Sequence, residues 1–320
     1  EKVFNGSMIE GKTSNRITVM EVSPRDGLQN EELVLSTDQK LELIRAAISA
    51  GLERIEVASF VNPKKVPQME NAENVCAGLA DIHEAKLTGL VLNERGYQRL
   101  RDTCLHEAGI VIASTDSFGI RNQGMDLMRG LDFAKSVLRD GQQTRFPVQV
   151  TLAVAFGCPF ETSVPETRIL KMVEELVEFQ PVEIGLADTI GVAGPGQVNR
   201  LFGRIRESFP QVKLRAHFHD TRNTGMANAY AAILSGVDTI DSSIGGIGGC
   251  PFAPNATGNI ATEDLLYMLD TSGVDHRIES PVVVKTAEWL EQLLGKSLPS
   301  AILRVGRGGS VKNDQMEVSS

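Results

Sequence analysis

The first strand-like run of the chain, Ile17-Thr18-Val19-Met20-Glu21-Val22, leads into Ser23-Pro24-Arg25-Asp26-Gly27. An open, doubly wound α/β sheet would place a Gly-x-Gly-x-x-Gly turn here, directly after its first strand. A proline, a cation and an anion stand in its place. The same alternation of β-branched run, polar turn and helical pattern recurs at Arg54–Ser59, Leu87–Leu92, Ile110–Ser114, Val148–Phe156, Val182–Leu186, Leu214–Phe218 and Thr239–Ser243. Eight βα units within about 260 residues imply a parallel sheet with right-handed crossovers, closed as a (β/α)8 TIM barrel.

The intervening helices have readable ends. Ser36-Thr37-Asp38-Gln39 has the form of a capping box, and Gly51 stands where a C-terminal glycine belongs. Pro195 opens a helix that reaches about Phe209 and stops before Pro210. Met226 to Ser235 and Ala261 to Asp270 read as the last two helices of the ring. A further amphipathic helix, Pro281 to Leu294 with Trp289, offers a face either to the barrel base or to a second copy of the chain. The expected organisation is an N-terminal extension over residues 1–15 (the part before Met8 reads as a tag), one barrel domain with its C-terminal helix over 16–303, and a flexible polar tail over 304–320.

Thirty-two Lys and Arg against 41 Asp and Glu leave a net charge of −9. A nucleic-acid partner would want a basic face, so that class is excluded. No apolar run reaches the ~18 residues of a membrane span, and no signal-peptide layout opens the chain. Cys76, Cys104, Cys158 and Cys250 form no CxxC pair, which suits reduced thiols in a cytoplasmic protein; Cys76 and Cys104 fall in helical patterns and read as core.

Barrel chemistry sits at the C-terminal ends of the strands. The polar residues expected there are Arg25 and Asp26 after strand one, Glu56 on strand two, Asp188 at the end of strand six, His217, His219 and Asp220 on strand seven, and Cys250, Asn255 and Asn259 after strand eight. His217 and His219 are two of only five histidines, and residues i and i+2 of a strand share a face. With Asp26 and Asn259 as oxygen donors they make a mixed N/O set that favours Mg²⁺ or Mn²⁺ over structural zinc. Alone, the pair fits two core histidines equally well, and Arg25-Asp26 fits a surface ion pair. Gly245-Gly246-Ile247-Gly248-Gly249-Cys250-Pro251 is too glycine-rich for a helix or strand and reads as a loop approaching a ligand, with a reactive thiol on it. Lys64 and Lys65 read as a solvated loop.

Together these motifs resemble those of the 3-hydroxy-3-methylglutaryl-CoA lyases. The resemblance rests on Pro24-Arg25-Asp26-Gly27-Leu28-Gln29-Asn30-Glu31, Ser59-Phe60-Val61, Pro63-Lys64, Val66-Pro67-Gln68-Met69, Gly157-Cys158-Pro159-Phe160-Glu161, Asp188-Thr189-Ile190-Gly191-Val192, His217-Phe218-His219-Asp220-Thr221 and Gly246-Ile247-Gly248-Gly249-Cys250-Pro251, across roughly residues 17–270. Related Claisen-condensing synthases share the Arg-Asp-Gly start and the His-x-His pair, but not the Leu-Gln-Asn-Glu continuation or the Gly-Gly-Cys-Pro loop.

The resemblance implies that Asp26, His217, His219 and Asn259 ligate a divalent metal. It implies that Arg25 stabilises the enolate of departing acetyl-CoA, that Cys250 transfers a proton, and that Asp188, Glu56 and His217 belong to the catalytic set. Gln29 and Arg25 would meet the substrate, an acyl-CoA. Glu32 departs from the lysine often found after Gln-Asn-Glu, and Ser114 to Asn122 keeps only part of the family pattern. Citramalyl-CoA or a longer 3-hydroxy-3-substituted glutaryl-CoA is therefore an alternative substrate. A non-catalytic metal-binding relative is the alternative of another class, and a homo-oligomer stays open.

Overall fold

A computed structural model describes residues 16–249 and 258–306. Eight parallel strands close into a barrel in sequence order: β1 (Thr18–Glu21), β2 (Arg54–Ser59), β3 (Lys86–Val91), β4 (Glu107–Ala113), β5 (Val148–Ala153), β6 (Ile184–Asp188), β7 (Leu214–Phe218) and β8 (Thr239–Ser242), with β8 paired back to β1. Between them run α1 (Thr37–Ser49), α2 (Ala72–Ala77), α3 (Glu94–Arg101), α4 (Asp116–Gln123), α5 (Leu127–Thr144), α6 (Glu166–Val177), α7 (Pro195–Ser208) and α8 (Gly225–Leu234). After β8 come α9 (Thr262–Thr271), α10 (Ser280–Leu294) and α11 (Ala301–Gly306), the last running past residue 303, the expected edge of the domain.

Local chemistry explains the elements. The Ser36 hydroxyl accepts from the Gln39 amide while the Gln39 side chain accepts from the Ser36 amide, so the capping box of α1 is complete. Leu43, Ile44 and Ala47 of α1 and Val198, Leu201, Phe202 and Ile205 of α7 are buried at helical spacing, facing the sheet. β5 stops at Ala153, short of the expected Phe156, because Val154 turns to φ 52° and its N–H donates to Thr189 Oγ1 at 2.9 Å. β6 starts at Ile184 and extends through Asp188. Cys104 lies exposed beyond α3, with Sγ donating to the Cys76 carbonyl of α2 at 2.9 Å, so it is not a core helix residue. The Trp289 helix α10 packs on α1, α9 and the turn after β8, on the flank of the barrel rather than its base.

The barrel interior departs from the layers of branched apolar side chains that usually fill one. Arg54 of β2 reaches Glu183 at 3.0 Å, Glu107 of β4 at 3.3 Å and Thr239 of β8 at 3.1 Å. Side chains from strands so far apart in the sheet can meet only inside the barrel. All three acceptors are buried, and Arg54 is nearly so. Taking one partner from a buried ion pair strands the other's charge, at about 3–5 kcal/mol. Arg54→Met is therefore expected to lower the urea-unfolding free energy by about 3–5 kcal/mol, whereas Ser36→Ala should cost about 1 kcal/mol through its lost cap. Equal losses for the two variants would show that the interior ion pairs do not carry that stability.

Candidate active site

Arg25 and Asp26 sit in a wide helical turn, Ser23–Gly27, closed by the Gly27 N–H donating to the Val22 carbonyl five residues back at 3.1 Å. Strand alternation would send these neighbours to opposite faces; the turn presents both to the barrel mouth. The Arg25 Nε donates to Glu56 Oε1 on β2, and Nη1 donates to Asp26 Oδ1 at 2.6 Å, with Gln29 Oε1 3.5 Å away. The other carboxylate oxygen, Asp26 Oδ2, faces both imidazoles: His217 Nε2 is at 3.9 Å and His219 Nε2 at 3.8 Å. One ligating atom from each of Asp26, His217 and His219 lies within 4.8 Å of the others.

Burial pushes the His217 imidazole down, but its hydrogen bond to Asp241 and the charges of Asp26 and Asp241 outweigh that and raise it. Burial pushes the Asp26 carboxyl up, but the Arg25 guanidinium and the two imidazoles outweigh it and hold the carboxyl well below the usual range. Burial likewise pushes Asp241 up, and the Arg215 guanidinium more than offsets that. Asp241 of β8 contacts His217 Nδ1 through Oδ2 at 3.1 Å.

Asn259 is brought to the same cluster by an antiparallel bridge to His219. Its Nδ2 donates to Asp26 Oδ2 at 2.8 Å and to the Ile247 carbonyl at 3.2 Å, so its amide must turn over before Oδ1 can ligate. Gly248, at φ 122°, lets the loop pass: a Cβ there would come 2.4 Å from Asn259 Nδ2. The Asn30 amide donates to the Gly249 carbonyl at 2.7 Å, tying this loop to the segment after Arg25-Asp26. Cys250 and Asn255 lie outside the described residues.

Asp188 holds a loop of the mouth and lies close enough to feel both His219 and His217. Gly185 is on the inner face of β6, since a Cβ there would meet Thr151 and Arg215, so alternation turns Asp188 outward. Its two oxygens accept from the Val192 and Ala193 amides, both at 2.9 Å, which holds the loop after β6. Asp220 likewise holds a turn, accepting from the Gly225 amide at 2.7 Å.

The residues that the motifs passed over are Asp241, Arg215, Glu21 and Glu263. Glu21 Oε1 accepts from the Ser23 amide at 2.8 Å and the Ile244 amide at 2.9 Å, joining the Arg25-Asp26 turn to the start of the glycine loop. Glu263 Oε2 accepts from the Gly245 amide at 3.0 Å. A carboxylate within an otherwise buried strand (Glu21, Asp241), or at a helix start beside a glycine loop (Glu263), is the signal that could have found them.

The sequence and the architecture are matched by known proteins. A family profile described as HMGL-like matches residues 16–290. The chain belongs to the HMGL-like family. It is 36% identical to a hydroxymethylglutaryl-CoA lyase of Bacillus subtilis, over 91% of this chain and 97% of that protein. It is 38% identical to the (R)-citramalyl-CoA lyase of Chloroflexus aurantiacus, over 91% of this chain and 95% of that one. Among solved structures, an HMG-CoA lyase from Acinetobacter baumannii in complex with coenzyme A and 3-methylmalate superposes with a TM-score of 0.88 at 33% identity, covering 97% of this chain and 100% of that one. Among the described residues no helix is long and apolar enough to cross a membrane.

Burial lifts the Glu263 carboxyl to about 7, against an ordinary 4.5. A carboxyl raised by folding binds its proton more tightly in the folded chain, so its contribution is full below pH 4.5 and is lost as pH rises through about 7. The loss amounts to about 3 kcal/mol. Glu263→Gln keeps an acceptor for Gly245 and cannot ionise. Its unfolding free energy relative to the parent should rise by about that amount between pH 4.5 and pH 8 in urea titrations. A pH-independent difference would mean that Glu263 does not titrate in this range.

Proposed function

We propose that the protein is a carbon–carbon lyase performing a metal-dependent retro-Claisen cleavage, with 3-hydroxy-3-methylglutaryl-CoA as the thioester and acetyl-CoA and acetoacetate as products. The observation that carries this reading is the convergence of Asp26, His217 and His219 donor atoms within 4.8 Å, with the Arg25 guanidinium bonded to the same carboxylate. Two imidazoles and a carboxylate suit a divalent cation such as Mg²⁺ or Mn²⁺. Asn259 would join them once its amide turned over. When bound, the cation supplies Lewis acidity toward the tertiary hydroxyl and orients the substrate.

The residues of the chain account for the rest of the reaction. The hydroxyl gives up a proton, the bond between the carbinol carbon and the acetyl methylene breaks, and the electron pair moves to the thioester as an enolate. The hydroxyl carbon becomes the ketone of acetoacetate. Arg25 places fixed positive charge where the enolate oxygen develops, and Glu56 and Gln29 hold the guanidinium in place. Asp188 and Asp220 shape the loops of the mouth. Cys250, which follows Gly249 in the sequence, gives its proton to the carbanion and regains one to balance that lost by the hydroxyl; a thiol with a pKa of about 8.5 in water is matched to that task. We take the coenzyme A complex of the Acinetobacter baumannii relative as support for an acyl-CoA substrate. Free Cys76, Cys104 and Cys158 fit a reducing, cytoplasmic setting.

The (R)-citramalyl-CoA lyase relative supports a second reading with the same machinery and a different acyl group. Chelator-stripped protein should be offered both thioesters with and without Mg²⁺ or Mn²⁺, and acetyl-CoA release followed. Metal-dependent release from 3-hydroxy-3-methylglutaryl-CoA is expected; release from citramalyl-CoA alone would move the assignment to the second reading, and release from neither would overturn both. Arg25→Gln should lower kcat more than it raises KM, since its charge acts mainly once the enolate forms. Cys250→Ser should lower turnover by orders of magnitude while metal binding is unchanged, and near-normal turnover would remove the thiol from the reaction.

A further inference from the structure

Arg215 is an unusual residue to find inside a barrel, two positions before a proposed metal ligand. It lies on β7 at the same parity as His217, so both side chains enter the interior. The β7–β8 register pairs Arg215 with Thr239 and Ala216 with Ile240, and its continuation sets His217 beside Asp241. Arg215 reaches diagonally to that carboxylate: Nη1 donates to Asp241 Oδ2 at 2.9 Å and lies 3.2 Å from Oδ1. Its remaining contacts lock the guanidinium plane. Nη1 also lies 3.2 Å from the Met20 sulfur, Nη2 donates to Thr151 Oγ1, and Nε is 3.4 Å from Glu183 Oε2. Gly185 leaves the space for it, since a Cβ there would stand 3.2 Å from Nη2. Arg215 and Asp241 are each 3% exposed, so water does not provide the alternative partners that would let either swing.

We infer that Arg215 is a positioning residue for the metal centre: it clamps the Asp241 carboxylate so that Asp241 accepts from the Nδ1–H of the neutral His217 imidazole and leaves His217 Nε2 as a lone-pair donor to the cation proposed between it and Asp26. The inference rests on the metal reading of Asp26, His217 and His219. The chemistry is that of an acceptor-only group fixing an imidazole tautomer. A carboxylate oxygen cannot donate, so a hydrogen bond to Nδ1 requires the proton to be there, and in the neutral imidazole Nε2 is then unprotonated. Such outer partners orient a ligating histidine and raise its basicity, and their loss weakens metal binding about 10–100-fold. Arg215 stands one contact further out and acts only through Asp241.

The test uses full-length, chelator-stripped protein and Mn²⁺ alone. Free Mn²⁺ is counted by electron paramagnetic resonance, and the His217 tautomer is read by ¹⁵N NMR of the metal-free protein at alkaline pH, where the imidazole is neutral. Asp241→Asn and Arg215→Met should each weaken Mn²⁺ binding about 10–100-fold. The double variant should lose no more than about threefold beyond the worse single, because both changes break one chain of contacts. In Arg215→Met the His217 signals should move from the Nδ1–H toward the Nε2–H pattern. Arg215→Lys keeps the charge without the fork, so its binding should fall between parent and Arg215→Met; if Arg215→Met does not fold, Arg215→Lys and Asp241→Asn carry the comparison. His217→Ala separates the two levels of the argument. If the parent binds no Mn²⁺ that His217→Ala abolishes, the metal reading itself fails and this inference with it. If His217→Ala abolishes binding while the foldable Arg215 variants bind within twofold of the parent with unchanged His217 signals, or if the two losses multiply in the double variant, only the role of Arg215 is overturned.

Discussion

The two oxygens of Asp26 divide the site between them. Oδ1 takes the Arg25 guanidinium, and Oδ2 faces the Nε2 atoms of both histidines. A single carboxylate thus fixes the spacing between the charge proposed to meet the enolate and the position proposed for the cation. Almost every neighbouring feature can be read as holding that carboxylate still. The five-residue turn delivers it to the mouth, Glu56 holds Arg25 from β2, and Gly248 lets Asn259 close from the far side. The burial that would otherwise neutralise Asp26 is outweighed chiefly by the Arg25 guanidinium beside it.

Around this centre the molecule uses carboxylates as clamps on backbone amides. Asp188 holds Val192 and Ala193, Asp220 holds Gly225, Glu263 holds Gly245, and Glu21 holds both Ser23 and Ile244. Each ties a loop at the mouth to a rigid element below it. Glu21 differs in joining two loops, the Arg25-Asp26 turn and the base of the glycine loop, so the two sides of the site share one anchor. Loop chemistry carried on rigid strand ends is how this architecture combines precision with variable function.

The fold was largely legible because its signals are local. Six-residue β-branched runs such as Arg54–Ser59 and the capping box at Ser36 need no knowledge of distant residues. His217 and His219 were legible for the same reason, as strand parity alone puts them side by side. The exceptions depend on partners far away in sequence. Val154 continues the β pattern, and its left-handed turn is tied to Thr189, 35 positions on. That Asp188 ends a strand is local and legible; that its carboxylate holds the Val192 and Ala193 amides depends on the phase of β6, seen through Gly185. Asp241 became visible once the β7–β8 register set it beside His217, and register is a property of the closed sheet.

The interior ion pairs bear on how such a chain acquires its shape. Arg54 belongs to the first quarter of the barrel, Glu107 to the second and Glu183 to the third, and Arg215 from the last quarter shares Glu183 with Arg54. In a half-formed barrel, β1 to β4 alone, the inner face is open to water, and Arg54 and Glu107 would pair as exposed ions do, to little effect. Intermediates with part of the sheet assembled thereby gain little from these pairs compared with the closed ring. Apolar layers would reward partial assembly in proportion to the area covered. A charged interior gives its return only on closure, which makes the eight units a single cooperative whole and disfavours exchange of half-barrels between chains.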